Sequence, residues 1–270
     1  MIQSTRFEPD RPEGINVSSI EIDLSGRVAI VTGGTRGIGW EISRTLGEAG
    51  ADVVPVSRTA DDVDVAVSSL ADEGVRAIGH PTDVTDVEAV ESLIDSVIDE
   101  FGHLDLLVNN AGINPVEAMG TPETVDLAAF ERPISVNLIG AFNCSHVAGE
   151  HLLERDGSVI NVASTAGLVG VKRQHAYVAS KHGLVGLTKS MAMDWAPSVR
   201  VNAIAPGYIE TDLTEPVMEM DELYQRILDQ TPAGRFGSPA EVANVAVFLA
   251  SDLASFITGE CIVVDGGLTV

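Results

Sequence analysis

An α/β fold on a doubly wound parallel sheet is predicted by two observations. From Arg27 onward, short β-branched runs alternate with longer amphipathic stretches, the pattern of βαβ units with strands covered on both faces. The first run opens directly into a glycine-rich turn and then a helix, where such sheets take phosphates. The length of 270 residues suits one such domain rather than two.

In chain order, Val28–Thr32 reads as the first strand, followed by a helix over Ile38–Ala49. Strand Asp52–Ser57 and helix Asp62–Glu73 repeat the unit, as do Arg76–His80 and Val87–Phe101. Leu104–Asn109 is the fourth strand. A long helix around Pro133–Arg155 precedes strand Ser158–Val162, and Val199–Ala203 follows a helix over Tyr177–Trp195. Pro239–Ala250 and Cys261–Val264 supply the last helix and strand. Proline inside a helix removes a hydrogen bond and clashes with the preceding turn, so the long helix either starts at Pro133 or kinks there. Two stretches break the rhythm. Residues 1–23, with Pro9, Pro12 and Gly14, read as an extension ahead of a domain over residues 24–270. Thr211–Gly237 is long, acidic and Met-bearing, and reads as a mobile lid over a substrate site.

Asp and Glu number 40 against 16 Lys and Arg, a formal charge of −24. That field repels nucleic-acid phosphates and anionic lipid heads, so neither nucleic acid nor a membrane is expected as a partner. An apolar content of 45% makes the acids a surface feature rather than a mark of disorder. With only Lys172, Lys181 and Lys189 as lysines, the composition resembles that of proteins from organisms that hold molar salt, which screens such self-repulsion. No signal sequence is visible, and no run reaches the roughly 18 apolar residues of a membrane span, so a cytoplasmic protein is expected. Cys144 and Cys261 are expected to be buried free thiols, and the histidines lack metal-ligand spacing, so no metal site is expected.

The turn after the first strand is Thr32-Gly33-Gly34-Thr35-Arg36-Gly37-Ile38-Gly39. Gly33 permits the tight turn, Gly37 lets a pyrophosphate approach the backbone, and Gly39 allows close helix packing. The following helix then offers its free N–H groups to the phosphates. A carboxylate ending the second strand would favour the ribose of NAD, but Ser57-Arg58 stands there. Arg58 and Arg36 are placed to pair with a 2′-phosphate, which favours NADP; the nearby Asp61 and Asp62 leave NAD possible.

Tyr177 and Lys181 lie four apart on a predicted helix and so share a face. An adjacent ammonium stabilises a phenolate and lowers the tyrosine's pKa from about 10 toward working pH. Ser164, where the fifth strand ends, is placed to hold a substrate carbonyl oxygen beside the tyrosine, with Thr165 as local competitor. Asn109-Asn110-Ala111-Gly112 ends the fourth strand, where small residues let backbone approach a cofactor. Asn137, inside a helix, either bonds nearby backbone or supports a water.

Thr32–Gly39, Asn109–Gly112, Asn137, Ser164, Tyr177 with Lys181, and Pro206-Gly207 stand in the order and spacing of the short-chain dehydrogenase/reductase family, which the chain resembles from about Leu24 to Val270. The resemblance implies a Rossmann-type seven-stranded sheet of order 3-2-1-4-5-6-7 and a tetrad of Asn137, Ser164, Tyr177 and Lys181. In it Tyr177 is the general acid/base and Ser164 polarises the carbonyl. Lys181 holds the nicotinamide ribose and lowers the tyrosine pKa, and Asn137 positions a relay water. The resemblance also implies Asp83-Val84 at the adenine, Asn110 to Gly112 along the cofactor, and Ile209 and Thr211 at the carboxamide. It further implies a homotetramer built on the long helices and last strand.

The reaction expected is hydride transfer between nicotinamide and a secondary alcohol or ketone. Lys172-Arg173-Gln174-His175 is the densest basic patch and is placed to take a substrate carboxylate. Thr231–Gly237 and Ala111–Asn114 resemble the gluconate 5-dehydrogenase branch, so a sugar acid or related sugar or polyol is the first reading. A 3-oxoacyl thioester is the alternative, and a non-catalytic dinucleotide-binding regulator a remote one.

Overall fold

The computed structural model describes residues 22–270. The N-terminal extension therefore lies, up to residue 21, outside the described residues. Seven parallel strands form one sheet: β1 (Val28–Thr32), β2 (Asp52–Ser57), β3 (His80–Pro81), β4 (Leu106–Asn109), β5 (Ser158–Val162), β6 (Arg200–Pro206) and β7 (Cys261–Val264). Their order is β3-β2-β1-β4-β5-β6-β7, with Val31 of β1 opposite Pro55 on one side and Val108 on the other. The chain leaves β1 in one direction and returns to its other side at β4. The crevice at their carboxyl ends is therefore the switch point of the sheet.

The helices are α1 (Gly37–Glu48), α2 (Ala60–Asp72), α3 (Val87–Phe101), α4 (Leu127–Ile134), α5 (Ala141–Leu153), α6 (His175–Trp195), α7 (Glu215–Met218), α8 (Asp221–Gln230) and α9 (Pro239–Ala250). Alternation along β1 assigns its residues to two cores. Ala29 and Val31 face Ile42 and Leu46 of α1 together with Val242, Ala246 and Leu249 of α9. Val28 and Ile30 face Leu93 and Val97 of α3, Ala148 and Leu152 of α5, and Met191 of α6. Every residue of β1 and β5 is buried, which is why these runs carry no polar alternation. Among the described residues no helix is long and apolar enough to cross a membrane.

The structure corrects several boundaries. The third strand, expected over Arg76–His80, is an edge strand reduced to His80–Pro81 plus one bridge from Ala77 to Val53. Gly79 sits so tightly under α2 that a Cβ there would meet Val63 Cγ1 at 2.1 Å, and Pro81 has no N–H to extend the ladder. Strand β6 runs on to Pro206 because β7 pairs with it from Ala203 onward. The long helix expected from Pro133 is three consecutive pieces. Helix α4 starts at Leu127, where the Asp126 side chain accepts a hydrogen bond from Ala129 N at 2.8 Å. Pro133 lies inside α4, and the turn just beyond it, Ser135–Gly140, widens to a π-helix before α5 resumes. Proline's missing donor next to that widened turn matches the usual cause of such a defect. Cys144 is buried, its thiol pushed up to about 12 by burial, whereas Cys261 is only half-buried on β7.

One carboxylate joins the chain's early and middle parts. Asp105, 3% exposed just before β4, accepts from Val28 N at 2.9 Å and from Arg155 Nε at 3.2 Å. Asp105→Ala leaves the buried Val28 N–H unpaired, which costs about 1–3 kcal/mol. Urea denaturation in high salt checks this; an unchanged midpoint would contradict it.

Candidate active site

A cavity of about 660 Å³ opens at the carboxyl ends of the strands. Its walls include every residue that the sequence assigned to a cofactor: Gly33, Thr35, Arg36, Gly37, Ile38, Gly39, Ser57, Arg58, Asp83, Val84, Asn110, Ala111, Gly112, Tyr177, Lys181, Pro206, Gly207, Ile209 and Thr211. Val56, Thr59, Asp62, Thr82, Ile113, Val136, Val162 to Ser164 and Asp212 to Thr214 complete the lining.

The glycine loop is built by close contact. Gly33 and Gly37 hold φ of +64° and +54°, which favours glycine. A Cβ on Gly39 would fall 2.0 Å from Gly33 O, so only glycine lets α1 begin there. The loop is clamped from β4: Asn110 Nδ2 donates to Thr32 O at 2.9 Å and Gly33 O at 3.1 Å, while Asn110 N and Ala111 N each donate to Thr32 Oγ1 at 3.0 Å. Asn110 thus works as a brace as well as a wall.

The residues fit a dinucleotide. Arg36 precedes α1 in an extended conformation and offers no side-chain cap, so the first-turn N–H groups are left for an anion. Beside them, a Cβ on Gly37 would meet nothing nearer than the Thr211 side chain at 3.5 Å, an open cradle that glycine preserves. At the other end the exposed Arg36 and Arg58 stand at the rim, and neither pairs with a carboxylate among the described residues. Asp83 is fixed by hydrogen bonds from Thr85 N (2.9 Å) and Thr85 Oγ1 (2.7 Å), which hold its carboxyl below the usual range, with a smaller contribution from Arg58.

Strand β5 delivers Ser164 to the opposite wall. Ser164 Oγ accepts from Ala166 N at 3.1 Å and caps a short turn, Thr165–Gly167. Thr165 is buried outside the lining, so Ser164 alone of the two faces the cavity. Tyr177 and Lys181 follow one turn apart on α6. Lys181 is 4% exposed, and its Nζ donates to Val162 O at 2.7 Å and lies 5.8 Å from the Tyr177 ring centre.

A family profile described as enoyl-(acyl carrier protein) reductase matches residues 33–269. The chain is 39% identical to the 3-oxoacyl-(acyl-carrier-protein) reductase of Aquifex aeolicus over 92% of its length and 100% of the relative's. It is 41% identical to the cis-4-hydroxycyclohexanecarboxylate dehydrogenase of Sinomonas cyclohexanicum, covering 90% and 96%. A crystal structure of a gluconate 5-dehydrogenase from Burkholderia cenocepacia, in complex with NADP and tartrate, superposes with TM-score 0.88 at 34% identity, covering 92% and 97%. The chain belongs to the short-chain dehydrogenase/reductase family. It is an NAD(P)-dependent oxidoreductase acting on CH–OH and keto groups.

Within this short-chain dehydrogenase/reductase, two expectations need correction and one open alternative is decided. First, the tyrosine is not shifted as adjacency implied. Burial raises the Tyr177 phenol, a hydrogen bond with Ser164 offsets part of that, and the lysine's charge is directed at Val162 O instead. Secondly, Asn137, expected either to bond nearby backbone or to support a water, has its side chain on nearby backbone; it is buried and does not line the cavity. Its Oδ1 accepts from Ile113 N at 2.8 Å, and its Nδ2 donates to Ile113 O and to Ser180 Oγ, both at 3.0 Å. Thirdly, Lys172 and Arg173 are exposed and do not line the cavity. Their loop acts through its backbone: Arg173 holds φ +64° and its carbonyl accepts from Gly120 N at 3.0 Å.

Two residues escaped the sequence reading. Ser180 Oγ accepts from Asn137 and donates to Tyr177 O at 2.8 Å, joining the π-helix to the catalytic helix. A Cβ on Gly167 would meet Lys181 O at 2.7 Å, so glycine lets the turn after Ser164 press against α6. The signal for Ser180 was a hydroxyl one turn from Tyr177, on a face that had to be buried.

Burial lowers the Lys181 ammonium from its ordinary 10.5 to about 8. Below about pH 8 both folded and unfolded chains hold this proton, and the folded state carries the cost of a buried charge. Between about 8 and 10 the unfolded chain binds more protons, so stability is expected to rise with pH by an amount on the order of 3 kcal/mol. Thermal melts of the wild type and Lys181→Met across that window test it; parallel pH profiles would remove Lys181 as the source.

Proposed function

We propose that this oxidoreductase prefers NADP(H) and interconverts a secondary alcohol and ketone on a sugar acid or a related sugar or polyol. The reaction reading rests on the meeting of Ser164, Tyr177 and Lys181 at one wall of a cleft whose far rim carries Arg36 and Arg58. Bound in this cleft, the nicotinamide cofactor supplies hydride in one direction and takes it up in the other. The first turn of α1 and the Gly37 cradle hold the diphosphate. Arg36 and Arg58 pair with the 2′-phosphate, and Asp62 on the same wall tempers that preference toward NAD. Asp83 and Val84 border the adenine, and Ile209 and Thr211 border the nicotinamide end.

Ser164 Oγ donates a hydrogen bond to the substrate carbonyl oxygen. The Tyr177 hydroxyl, kept protonated by burial, gives its proton to that oxygen as the carbon is reduced and recovers it in the oxidative direction. Lys181 contributes its ammonium to the cofactor ribose and to the phenolate that forms. A Cβ on Gly112 would come within 3.4 Å of Asn137 Oδ1 and 3.5 Å of Lys181 Nζ, so glycine keeps open the space in which Asn137 positions a relay water. The segment from Thr211 to Gly237 closes over the substrate, its first four residues already in the cavity wall.

The sugar-acid reading is supported by likeness to the gluconate 5-dehydrogenase structure. Lys172 and Arg173 lie outside the cavity wall, whose cations Arg36, Arg58 and Lys181 are all assigned to the cofactor in this reading, which favours hydroxyl recognition over a carboxylate clamp. A second reading, reduction of a 3-oxoacyl thioester, is supported by the 39% identity to the Aquifex aeolicus reductase. Exposed Phe142 and Met193 on α5 and α6, and Phe256 and Val270 toward the C-terminus, support a homotetramer built on those helices and the last strand.

In molar potassium chloride, NADP⁺ with aldonic acids and polyols is expected to give turnover. A clear preference for NADPH with acetoacetyl thioesters would replace the first reading by the second. Tyr177→Phe is expected to lower kcat about 1000-fold while leaving NADPH affinity unchanged. Full activity in that variant would return the chain to a binding-only role. Arg58→Asp with Arg36→Ala should weaken NADPH about tenfold more than NADH; equal losses would sink the arginine clamp.

A further inference from the structure

The turn after β7 is wound around its own carboxylate. Asp265 Oδ1 accepts from Gly267 N at 2.8 Å, and Oδ2 accepts from Thr269 N at 2.9 Å and Thr269 Oγ1 at 2.7 Å. Burial works against its charge, but these hydrogen bonds together hold the carboxyl below the usual range. The last residues of the chain are thereby fixed rather than trailing.

Two other segments are seated on this turn. On one side Gly207, part of the cavity wall, donates its N–H to Val264 O at 2.9 Å. A Cβ on Gly207 would fall 2.8 Å from Asp265 Cβ and 2.9 Å from its Cα. On the other side lies the chain leaving the 211–237 stretch. Ala233 N donates to Gly266 O at 3.0 Å, and side chains at Gly266 and Gly267 would strike Ala233 Cβ and Pro232 Cγ, each at 2.9 Å. Both glycines hold positive φ, +63° and +89°, so the turn has its shape through them. The two seated segments are also laced to each other: Glu210 N donates to Gly237 O, and Gly237 N to Tyr208 O, both at 2.9 Å. Contacts this close transmit displacement instead of absorbing it.

We propose that the Asp265–Thr269 turn sets the nicotinamide-side wall, Gly207 to Thr211, in register with the base of the lid, with Asp265 as a positioning residue. Asp265 does not itself line the cavity. The adenosine side is built at the opposite half of the sheet, from the ends of β2 and β3, and has no seat on this turn. The inference rests on the reading of Ile209 and Thr211 as the nicotinamide end and of 211–237 as the lid.

The asymmetry gives the test. NADPH and 2′,5′-ADP, which carries the 2′-phosphate but no nicotinamide, are titrated into the full chain by calorimetry. Asp265→Ala is expected to weaken NADPH about tenfold and 2′,5′-ADP by no more than about twofold. Asp265→Asn, which keeps one acceptor oxygen, restores part of the loss. Thr269→Val removes a single hydroxyl donor and gives a smaller change in the same direction, which carries the test if Asp265→Ala fails to fold. Equal weakening of both ligands would reduce the turn to general support, and unchanged affinity for both would make it a chain end only; either overturns the proposal. The readout is binding, so a wild type that turns over neither sugar acids nor thioesters sinks the substrate reading and leaves this one standing.

Discussion

The ends of β1 and β4 are held together by an exchange of hydrogen bonds between Thr32 and the Asn110–Ala111 pair. That exchange fixes where the glycine loop turns, and the loop in turn fixes where α1 begins. Because Gly39 leaves no room beside Gly33 O, a shift at either strand end moves the first-turn N–H groups by the same amount. Anion binding at a helix start needs those groups aimed at one point, since their field falls off within a turn. The crevice of a doubly wound sheet supplies the place. This clamp makes the place accurate.

The catalytic wall is held by a second set of buried polar contacts, and here the electrostatics are less settled than at the cofactor end. Lys181 is buried in a chain that carries −24 overall, yet its partner is the neutral carbonyl of Val162 rather than an acid. A buried ammonium without a carboxylate is costly, which is why its proton is loosened. The phenol of Tyr177 is disfavoured from ionising by the same burial. Both groups are thus biased toward their neutral forms, and a charge placed between them shifts both at once. The link from Ile113 through Asn137 and Ser180 to the backbone of Tyr177 keeps the geometry while those charges change.

What was legible in the sequence was local. The glycine loop, Ser164 and the Tyr177/Lys181 pair announce themselves because residue type and spacing within one turn already state their chemistry. Thr165 against Ser164 was not decidable, because neighbours after a strand end can face either way; burial separates them. The outward course of Lys172 and Arg173 is not legible, because nothing in a loop's composition says which side its long side chains take, and hydration draws them outward. Asn137 and Ser180 depend on partners 24 and 43 residues apart, a distance no periodicity bridges. The tyrosine's shift is not legible from spacing, because sharing a helix face does not say where an ammonium points. The third strand is shorter than its composition suggests because an edge strand has a single neighbour to enforce it.

That edge has a consequence for how copies of this protein meet. A sheet border with a long row of free N–H and C=O groups is a template on which another chain can add a strand. Here one border ends at the two residues of β3. Pro81 offers no donor, and Arg76 is drawn away to Asp52 and Glu100 and lies over Phe101. Among the described residues the sheet is therefore sealed on that flank, which leaves the β7 flank as the border from which unwanted stacking of one sheet onto the next would start.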